Sequence, residues 1–388
     1  MGRDRKAALA GRGGWYDRSM TEINAVVMSL EHALTNQFFD IPPATLSILQ
    51  DLDHQGVILG LTSSRSLKWM RRYLKSKGIS SLFSFLIGSN GCQYLNLKTG
   101  ASINRNPLTK KDLETIVKNL NNIQLACGVP YCRQLYFNHL TWRALEYAAT
   151  RGRKVHFSLE GLPDDAVFKK IFIVGSPAAL AKFEQNIEKE SGFSFASLFT
   201  SITGSVKNWK DDGAGGKKTS DKLEERKDLD PDDEKMSPAQ KEAVCQNLVS
   251  EFQLDGRPMV FLHPKPWVTE ISSASINMYT TLEYAMDQFH LQPQHILYFG
   301  VSDKDNPVVA RTYGIAMKGS PVSTSNCARR TTKYNGAQNG IGYMINVLKM
   351  DRTCVFCAPD PENSQKPERT DIQNNPGSKA RPKSQKGA

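Results

Sequence analysis

The chain has 388 residues, of which 39% are hydrophobic and 23% charged, so it can bury a large core and is expected to form two domains with appended segments. This composition excludes a fibrous protein, and no apolar run approaches the roughly 18 residues of a membrane-spanning helix. The formal net charge of +11 suits an anionic partner. The excess cations are spread over several segments without a nucleic-acid-binding motif, so we expect neither a nucleic acid nor a membrane as partner.

The cellular location is expected to be cytoplasmic. Residues 1–20 carry several arginines, and an organelle-targeting role for them stays open as an alternative, although serine is scarce there. The seven cysteines are scattered and odd in number, which favours reduced thiols. Cys354 and Cys357 have the spacing of a zinc knuckle, but no second pair accompanies them, so we expect ordinary thiols.

The first part of the chain alternates strand and helix patterns. Paired prolines open the first helix, and glycines follow the ends of both helices. In chain order, the predicted elements are a strand at Ala25–Leu30, a helix from Pro42-Pro43 to about Gly56, a strand at Val57–Leu61, a helix that starts at Thr62–Ser64 and runs to Gly78, and a strand at Phe85–Ile87. This alternation with short loops predicts a parallel sheet with right-handed crossovers.

The pattern changes from about Leu108. A helix at Thr109–Leu120 is followed by short strand-like pieces and by a strand near Lys170–Gly175, which predicts a smaller α+β unit inserted into the first domain. Residues 204–236 are dominated by Lys, Asp, Glu and Gly, so we expect this charged insert to be disordered. Strands at Met259–Leu262 and Val268–Ile271 are predicted to return to the main domain.

The domain boundaries follow from these patterns. We expect a disordered basic leader at 1–21, a main domain formed by 22–105 and 265–350, an inserted domain at 106–264, and a disordered tail at 351–388.

The stretch from Ile296 to Ser320 is predicted to contain a strand, an acidic loop, a short helix and a second strand. Loops at the carboxyl ends of strands form the ligand site in open α/β sheets. Asp303 and Asp305 therefore belong to the expected site, together with the loops that begin at Ser29 and Thr62.

An inserted domain separates the first two of these loops from the third, and this arrangement resembles the haloacid dehalogenase (HAD) superfamily. The similar subgroup is the Cof-like and sucrose-phosphatase-like one, whose members carry an α/β cap. Leu86–Cys92 (LIGSNGC) and Gly314–Met317 (GIAM) resemble two fold markers of that subgroup. The resemblance implies a doubly wound parallel-sheet core with an inserted α+β cap, and magnesium-dependent hydrolysis of phosphomonoesters.

The first catalytic motif of the family, Asp-x-Asp-Gly-Thr, falls on residues 29–33. The resemblance places Ser29 at the nucleophile position, Glu31 at the general acid/base position and His32 at the glycine. A carboxylate nucleophile gives an acyl phosphate that water hydrolyses, whereas a serine forms a phosphate ester that resists turnover. The extra methylene of Glu31 also displaces its carboxylate.

The phosphate-binding motifs are partly retained. The resemblance assigns phosphate binding to Ser63, Ser64 and Arg65, which keep a hydroxyl and an arginine. The phosphate-binding lysine of the family falls on Met278, which carries no charge.

The metal-binding motif, Gly-Asp-x-x-Asn-Asp, retains only part of its oxygen ligands. Val301 replaces one aspartate and Lys304 the asparagine, whereas Asp305 matches the motif and Asp303 offers a further carboxylate. Mg²⁺ requires several oxygen ligands in octahedral order, so this set is a poor magnesium site.

Three hypotheses follow. The first is a catalytically degenerate phosphatase that binds a small phosphorylated molecule, another anion or a protein partner, with Lys304 or Lys318 replacing the charge of the metal. The second is an active phosphomonoesterase with an altered site that uses Glu31, Asp303 and Asp305, with Mg²⁺ as cofactor. The third is an interaction subunit of a larger assembly, which uses the leader, the insert and the tail.

Overall fold

The computed structural model describes residues 20–120, 122–150, 153–190 and 252–359. The predicted disorder of the leader up to residue 19, of the charged insert at 204–236 and of the tail from residue 360 lies outside these described residues. Within them, no helix has the length and apolar character needed to cross a membrane.

The elements before the inserted domain alternate strands with helices and end in a hairpin. They are β1 (Thr21–Ile23), β2 (Ala25–Ser29), α1 (Pro43–His54), β3 (Ile58–Thr62), α2 (Leu67–Ser76), β4 (Phe85–Gly88), β5 (Gln93–Asn96) and β6 (Ser102–Asn104).

The inserted domain, or cap, follows, and its described residues form short strands and three helices. Its elements are β7 (Leu108–Thr109), α3 (Lys110–Lys118), β8 (Ala126–Tyr131), β9 (Gln134–Phe137), α4 (Trp142–Ala149), β10 (Val155–His156), β11 (Val167–Phe168), β12 (Ile171–Val174), α5 (Pro177–Glu190), β13 (Phe252–Leu254), β14 (Arg257–Lys265) and β15 (Val268–Ser273).

The chain then returns to the main domain. The last elements are α6 (Met278–Phe289), β16 (Ile296–Gly300), α7 (Asn306–Arg311), β17 (Tyr313–Ala316), α8 (Val322–Cys327), β18 (Arg330–Thr331), α9 (Gly340–Met350) and β19 (Cys354–Phe356).

The core sheet has eight strands in the order β18-β17-β16-β2-β3-β4-β5-β6. The strands from β18 to β4 are parallel, and the β5–β6 hairpin extends the sheet in antiparallel fashion. Alternate residues of each strand point to opposite faces, so Val26 and Met28 belong to one apolar cluster and Ala25 and Val27 to another. Helices cover both faces, which confirms the predicted doubly wound α/β fold.

The cap is built on a second sheet of seven strands, in the order β10-β9-β8-β12-β15-β14-β13. All neighbours in it are antiparallel except β9 and β10. α3 begins with a capping box in which Thr109 and Asp112 bond to each other's backbone N–H groups. The inserted α+β domain predicted from the sequence is therefore present.

The predicted return to the main domain at residue 265 is wrong. β15 lies inside the cap sheet, where it pairs with β12 on one side and with β14 on the other. The core resumes only after Ser273. A short apolar strand does not indicate which sheet it joins, because its partners are set by tertiary pairing rather than by its own pattern.

The predicted disorder of 351–388 is wrong for its first residues, and the predicted leader of 1–21 includes the first residue of β1. β19 pairs in parallel with β1, with Thr21 opposite Cys354 and Ile23 opposite Phe356. Cys354 and Phe356 are buried in the core, and the Sγ of Cys357 accepts a hydrogen bond from the side-chain amide of Asn24. Three residues carry too little periodicity to be recognised as a strand.

This pairing predicts that residues 352–359 stabilise the fold. A chain that ends after Asp351 should unfold with a free energy about 3 kcal/mol lower than one that ends after Pro359, because it lacks the buried Phe356 and the β19 pairing. Urea unfolding of the two chains measures the difference. Equal stability would show that β19 does not belong to the folded core.

Candidate functional site

Four neighbouring strands of the core sheet, β16, β2, β3 and β4, end at the same edge because they are parallel. The loops that follow them line a cleft of about 850 Å³, and β14 of the cap contributes another part of its wall. The predicted site residues that line the cleft are Glu31, Ser64, Arg65 and Asp303.

The Glu31 carboxylate is the centre of the polar network in this cleft. Ser63 Oγ donates a hydrogen bond of 2.6 Å to Glu31 Oε1, and Arg65 Nε lies 3.5 Å from the same oxygen. Lys304 Nζ lies 3.9 Å from the other oxygen, Oε2. The Arg65 backbone N–H in turn donates to Ser63 Oγ at 2.9 Å. One carboxylate therefore joins the loops after β2, β3 and β16 and lies between two cations.

The guanidinium of Arg65 is held by aromatic rings as well. Its Cζ lies 4.2 Å from the ring centroid of Trp69 in α2 and 4.6 Å from that of Phe39 in the loop after β2. Cation–π contacts of this kind stabilise and orient a cation. The sequence pattern indicated Arg65 but not these rings, because nothing in the spacing of Phe39 and Trp69 predicts that they meet.

Asp305 is fully buried and serves as an acceptor for its own loop. Its Oδ1 accepts a 2.7 Å hydrogen bond from Tyr298 Oη, and its Oδ2 accepts from the backbone N–H groups of Val301 at 2.9 Å and Ser302 at 3.2 Å. Burial raises the pKa of Asp305, and the nearby Lys304 opposes that shift. Both carboxylate oxygens are thus engaged by β16 and by the loop that follows it.

These contacts decide whether the residues present fit Mg²⁺, the cofactor that the resemblance implies. Asp303 accepts a hydrogen bond from the Ser323 hydroxyl, Asp305 is saturated by its own loop, and the Lys304 ammonium lies beside the Glu31 carboxylate. In the described ranges, no three His, Cys, Asp or Glu side chains are grouped so that they could hold a metal ion. The donor set does not fit the hard, oxygen-rich coordination that Mg²⁺ requires.

Three polar atoms at the strand ends are buried and have no hydrogen-bond partner in the described chain. They are the Oγ of Ser29, the Oε2 of Glu31 and the Oδ1 of Asn90, which follows β4. Buried polar atoms are normally satisfied, so unsatisfied ones indicate where a bound polar group gains most. Glu31 and Asn90 line the cleft, whereas Ser29 lies below its surface.

The remaining predicted site residues are not at the cleft surface. Ser63 and Asp305 are fully buried beneath it. Met278, which the resemblance places at the family's lysine position, is the first residue of α6 and packs in an apolar cluster of the core, so this side chain offers no charge to the cleft. Its apolar thioether packs in the core because, unlike lysine, it has no charge to keep solvated.

Several cleft residues were not predicted as site residues. Lys265 and His263 of β14 and Asn90 after β4 line the cleft. Their positions follow from how the cap lies over the core, and no local sequence pattern indicates such an arrangement. Lys318, proposed from the sequence as a substitute cation, also lines the cleft.

The fold combines an α/β core built on a parallel sheet, four converging strand ends and an inserted cap. This combination defines the class of phosphatase-like folds. The sequence profile of the haloacid dehalogenase-like hydrolases matches residues 26–209 and 207–345. The chain belongs to this family, as its motifs predicted. Phosphatases of the family typically use Mg²⁺. A search of curated proteins found no significant match.

Solved structures show the same fold. A haloacid dehalogenase-like hydrolase from Bacteroides thetaiotaomicron has 14% identity and a TM-score of 0.55, with 84% of this chain and all of that chain (100%) covered. The phosphatase BT1666 from the same organism has 11% identity and a TM-score of 0.57 over 88% and 99% of the two chains. The HAD subclass IIB sugar phosphatase BT4131 has 10% identity and a TM-score of 0.54 over 84% and 99%.

The backbone at His32 predicts a stabilising substitution. His32 occupies the glycine position of the family motif and has a φ of +66°. This left-handed backbone conformation costs a non-glycine residue about 1–2 kcal/mol. Because its side chain is exposed, His32→Gly should raise the free energy of unfolding by about 0.5–1 kcal/mol after the entropy of the unfolded chain is included.

The same change at His54, the last residue of α1, is the control. His54→Gly should lower stability, because glycine is a poor helix former. Chemical denaturation of both variants makes the comparison, and a destabilised His32→Gly would contradict the strain at this turn.

The bonding of Asp305 predicts a structural rather than a metal-binding role. Asp305→Ala removes the acceptor of Tyr298 Oη and of two backbone N–H groups, so it should lower the free energy of unfolding by about 3 kcal/mol. Asp303→Ala, which removes one half-exposed acceptor, should cost no more than about 1 kcal/mol. Thermal unfolding with and without Mg²⁺ tests the role: a melting temperature that Mg²⁺ raises in the wild type but not in Asp305→Ala would identify a metal ligand.

Proposed function

We propose that this chain is a catalytically degenerate member of the haloacid dehalogenase-like hydrolases, which binds a small phosphorylated molecule in its cleft without magnesium-dependent turnover. The observation that carries the proposal is the Lys304 ammonium, 3.9 Å from the Glu31 carboxylate, at the strand ends where the family motif places its metal. A fixed cation here supplies positive charge to an anion without recruiting Mg²⁺.

The nucleophile position supports the same proposal. Ser29 is fully buried, and its Oγ contacts no base in the described chain. A serine needs an activating base before it attacks phosphorus, and the ester that it forms resists hydrolysis. Glu31, the nearest carboxylate in sequence, is already bonded to Ser63 and flanked by Arg65 and Lys304.

The charges around the cleft suit an anionic ligand. Four cations line it against three carboxylates, those of Glu31, Glu270 and Asp303, and Glu270 is already paired with Lys170, so positive charge is in excess. The lining cations are Arg65, Lys265, Lys304 and Lys318. A phosphoryl group fits the paired donors of arginine and the ammonium of lysine. The similarity to the sugar phosphatase BT4131 makes phosphorylated sugars the first ligands to test.

An active phosphomonoesterase with an altered site is the second candidate. One contact favours it, because Ser63 Oγ donates to Glu31 Oε1 at 2.6 Å in the manner of a nucleophile and its base. Ser63 is, however, fully buried, and its hydroxyl also accepts from the Arg65 backbone. The interaction-subunit hypothesis rests on the leader, insert and tail, most of which lie outside the described residues, and it stays a prediction.

An activity and binding assay on the full chain tests the proposal. We expect no magnesium-dependent phosphate release from sugar phosphates, together with binding of inorganic phosphate or glucose 6-phosphate in calorimetry. Lys304→Ala should weaken that binding by about tenfold, because it removes one charge-assisted contact.

Lys98→Ala is the matched control, since Lys98 is an exposed lysine in the loop between β5 and β6, outside the cleft. It should bind phosphate as the wild type does. Magnesium-dependent turnover that Glu31→Ala abolishes would overturn the proposal in favour of an active phosphatase. Absence of phosphate binding in the wild type would overturn the ligand assignment.

A further inference from the structure

The solvent side of α2 carries a row of cations. Lys68, Arg71, Arg72 and Lys75 are all exposed, and their spacing of three and four residues places them on one side of the helix. The row is about 10 Å long. No acidic side chain in the described part of the chain forms a salt bridge with any of the four. This side of the helix therefore has an uncompensated positive charge.

The cap adds a further cation to this row. Arg133 belongs to the tight turn between β8 and β9, and its positive charge, followed by desolvation and then by the charge of Arg72, lowers the pKa of Lys68. The strands β4 to β8 and the helix α3 lie between α2 and Arg133 in the chain, so the two come close only in the folded structure. Gathering like charges is unfavourable, and a bound polyanion relieves the repulsion.

An exposed aromatic ring lies next to the same region. Phe38 is 73% exposed, while the ring of its neighbour Phe39 packs edge-on against Trp69 of α2, with 5.1 Å between the centroids. Burial of Phe39 against α2 fixes the backbone that carries Phe38. A solvated phenyl ring beside a row of cations combines the two features that single-stranded nucleic acids require, a stacking platform and phosphate-binding charges.

We propose that the basic face, formed by Lys68, Arg71, Arg72 and Lys75 with Phe38 at its edge, binds single-stranded nucleic acid through its phosphate backbone. The cations of this surface are separate from the phosphate-binding proposal for the cleft, because none of them lines the cleft, whereas Phe38 lies at the rim that the two share. The arginine pair offers forked donors that match phosphate oxygens.

An anionic membrane is a poorer fit to the same charges. A membrane-bound amphipathic helix inserts its apolar side among the lipids. The apolar side of α2 is already buried in the core, through Met70, Tyr73 and Leu74. The solvent side of α2 can therefore bind a partner only through its charges. A polyanion with stackable bases can contact these charges with its phosphates and stack its bases on Phe38.

Fluorescence anisotropy with a labelled oligouridylate of about 20 nucleotides tests the proposal on the full chain at several salt concentrations. The double variant Arg71→Glu with Arg72→Glu should bind about tenfold more weakly. Its log–log salt slope should be shallower by about 0.7 for each lost phosphate contact. Phe38→Ala should weaken binding several-fold and leave the salt slope unchanged, because stacking releases no counterions.

The control is Lys98→Glu with Lys118→Glu, which changes the net charge equally at two exposed lysines outside the basic face. It should bind as the wild type does, and thermal unfolding checks that both double variants are folded. The proposal is overturned if the control weakens binding as much as the α2 variant does. It is also overturned if the wild type binds phosphatidylserine vesicles but not the oligonucleotide.

Discussion

The parallel hydrogen bonding of β16, β2, β3 and β4 is the constraint on which the rest of the site depends. Parallel neighbours have their carboxyl ends at one edge of the sheet, so loops that are far apart in sequence are brought to a common cleft. Residues on both sides of the inserted cap meet there, and Glu31 contacts Ser63 and Lys304 although the whole cap lies between Glu31 and Lys304 in the chain. The cap leaves the core after β6, and the core resumes with α6.

The loop after β16 is shaped by a carboxylate that its own neighbours hold in place. Asp305 holds Val301, Ser302 and the Tyr298 hydroxyl, and these bonds shape the loop whether or not a cation is present. A buried carboxylate that accepts hydrogen bonds from the backbone N–H groups of its own loop stabilises that loop, and this stabilisation is independent of catalysis. Lys304, in the same loop, extends its ammonium toward Glu31, so the loop supplies positive charge to the site from a side chain.

Sequence reasoning recovered the alternating core, the inserted cap and the family, because strand and helix periodicity and motif spacing are local properties of the chain. It also identified Ser63, Arg65 and Glu31, which the structure brings into one hydrogen-bonded and ionic network. It failed for β15 and β19, whose partners lie elsewhere in the sequence, and it did not indicate that Met278 packs in the core.

The residue pattern alone was enough to specify the class of fold, the order of its elements and the loss of charged residues at motif positions. These properties depend on side-chain type and short spacings, both of which are visible in a linear chain. The folded structure decided which surviving groups contact each other, that Asp305 is saturated by its own loop, and that Arg133 joins the cations of α2. Such contacts depend on how two sheets and their loops are placed in space, and the energy of each contact is set by distance and burial rather than by separation along the chain. The same limit explains why the unpartnered oxygens of Ser29, Glu31 and Asn90 became visible only once the strand ends had converged.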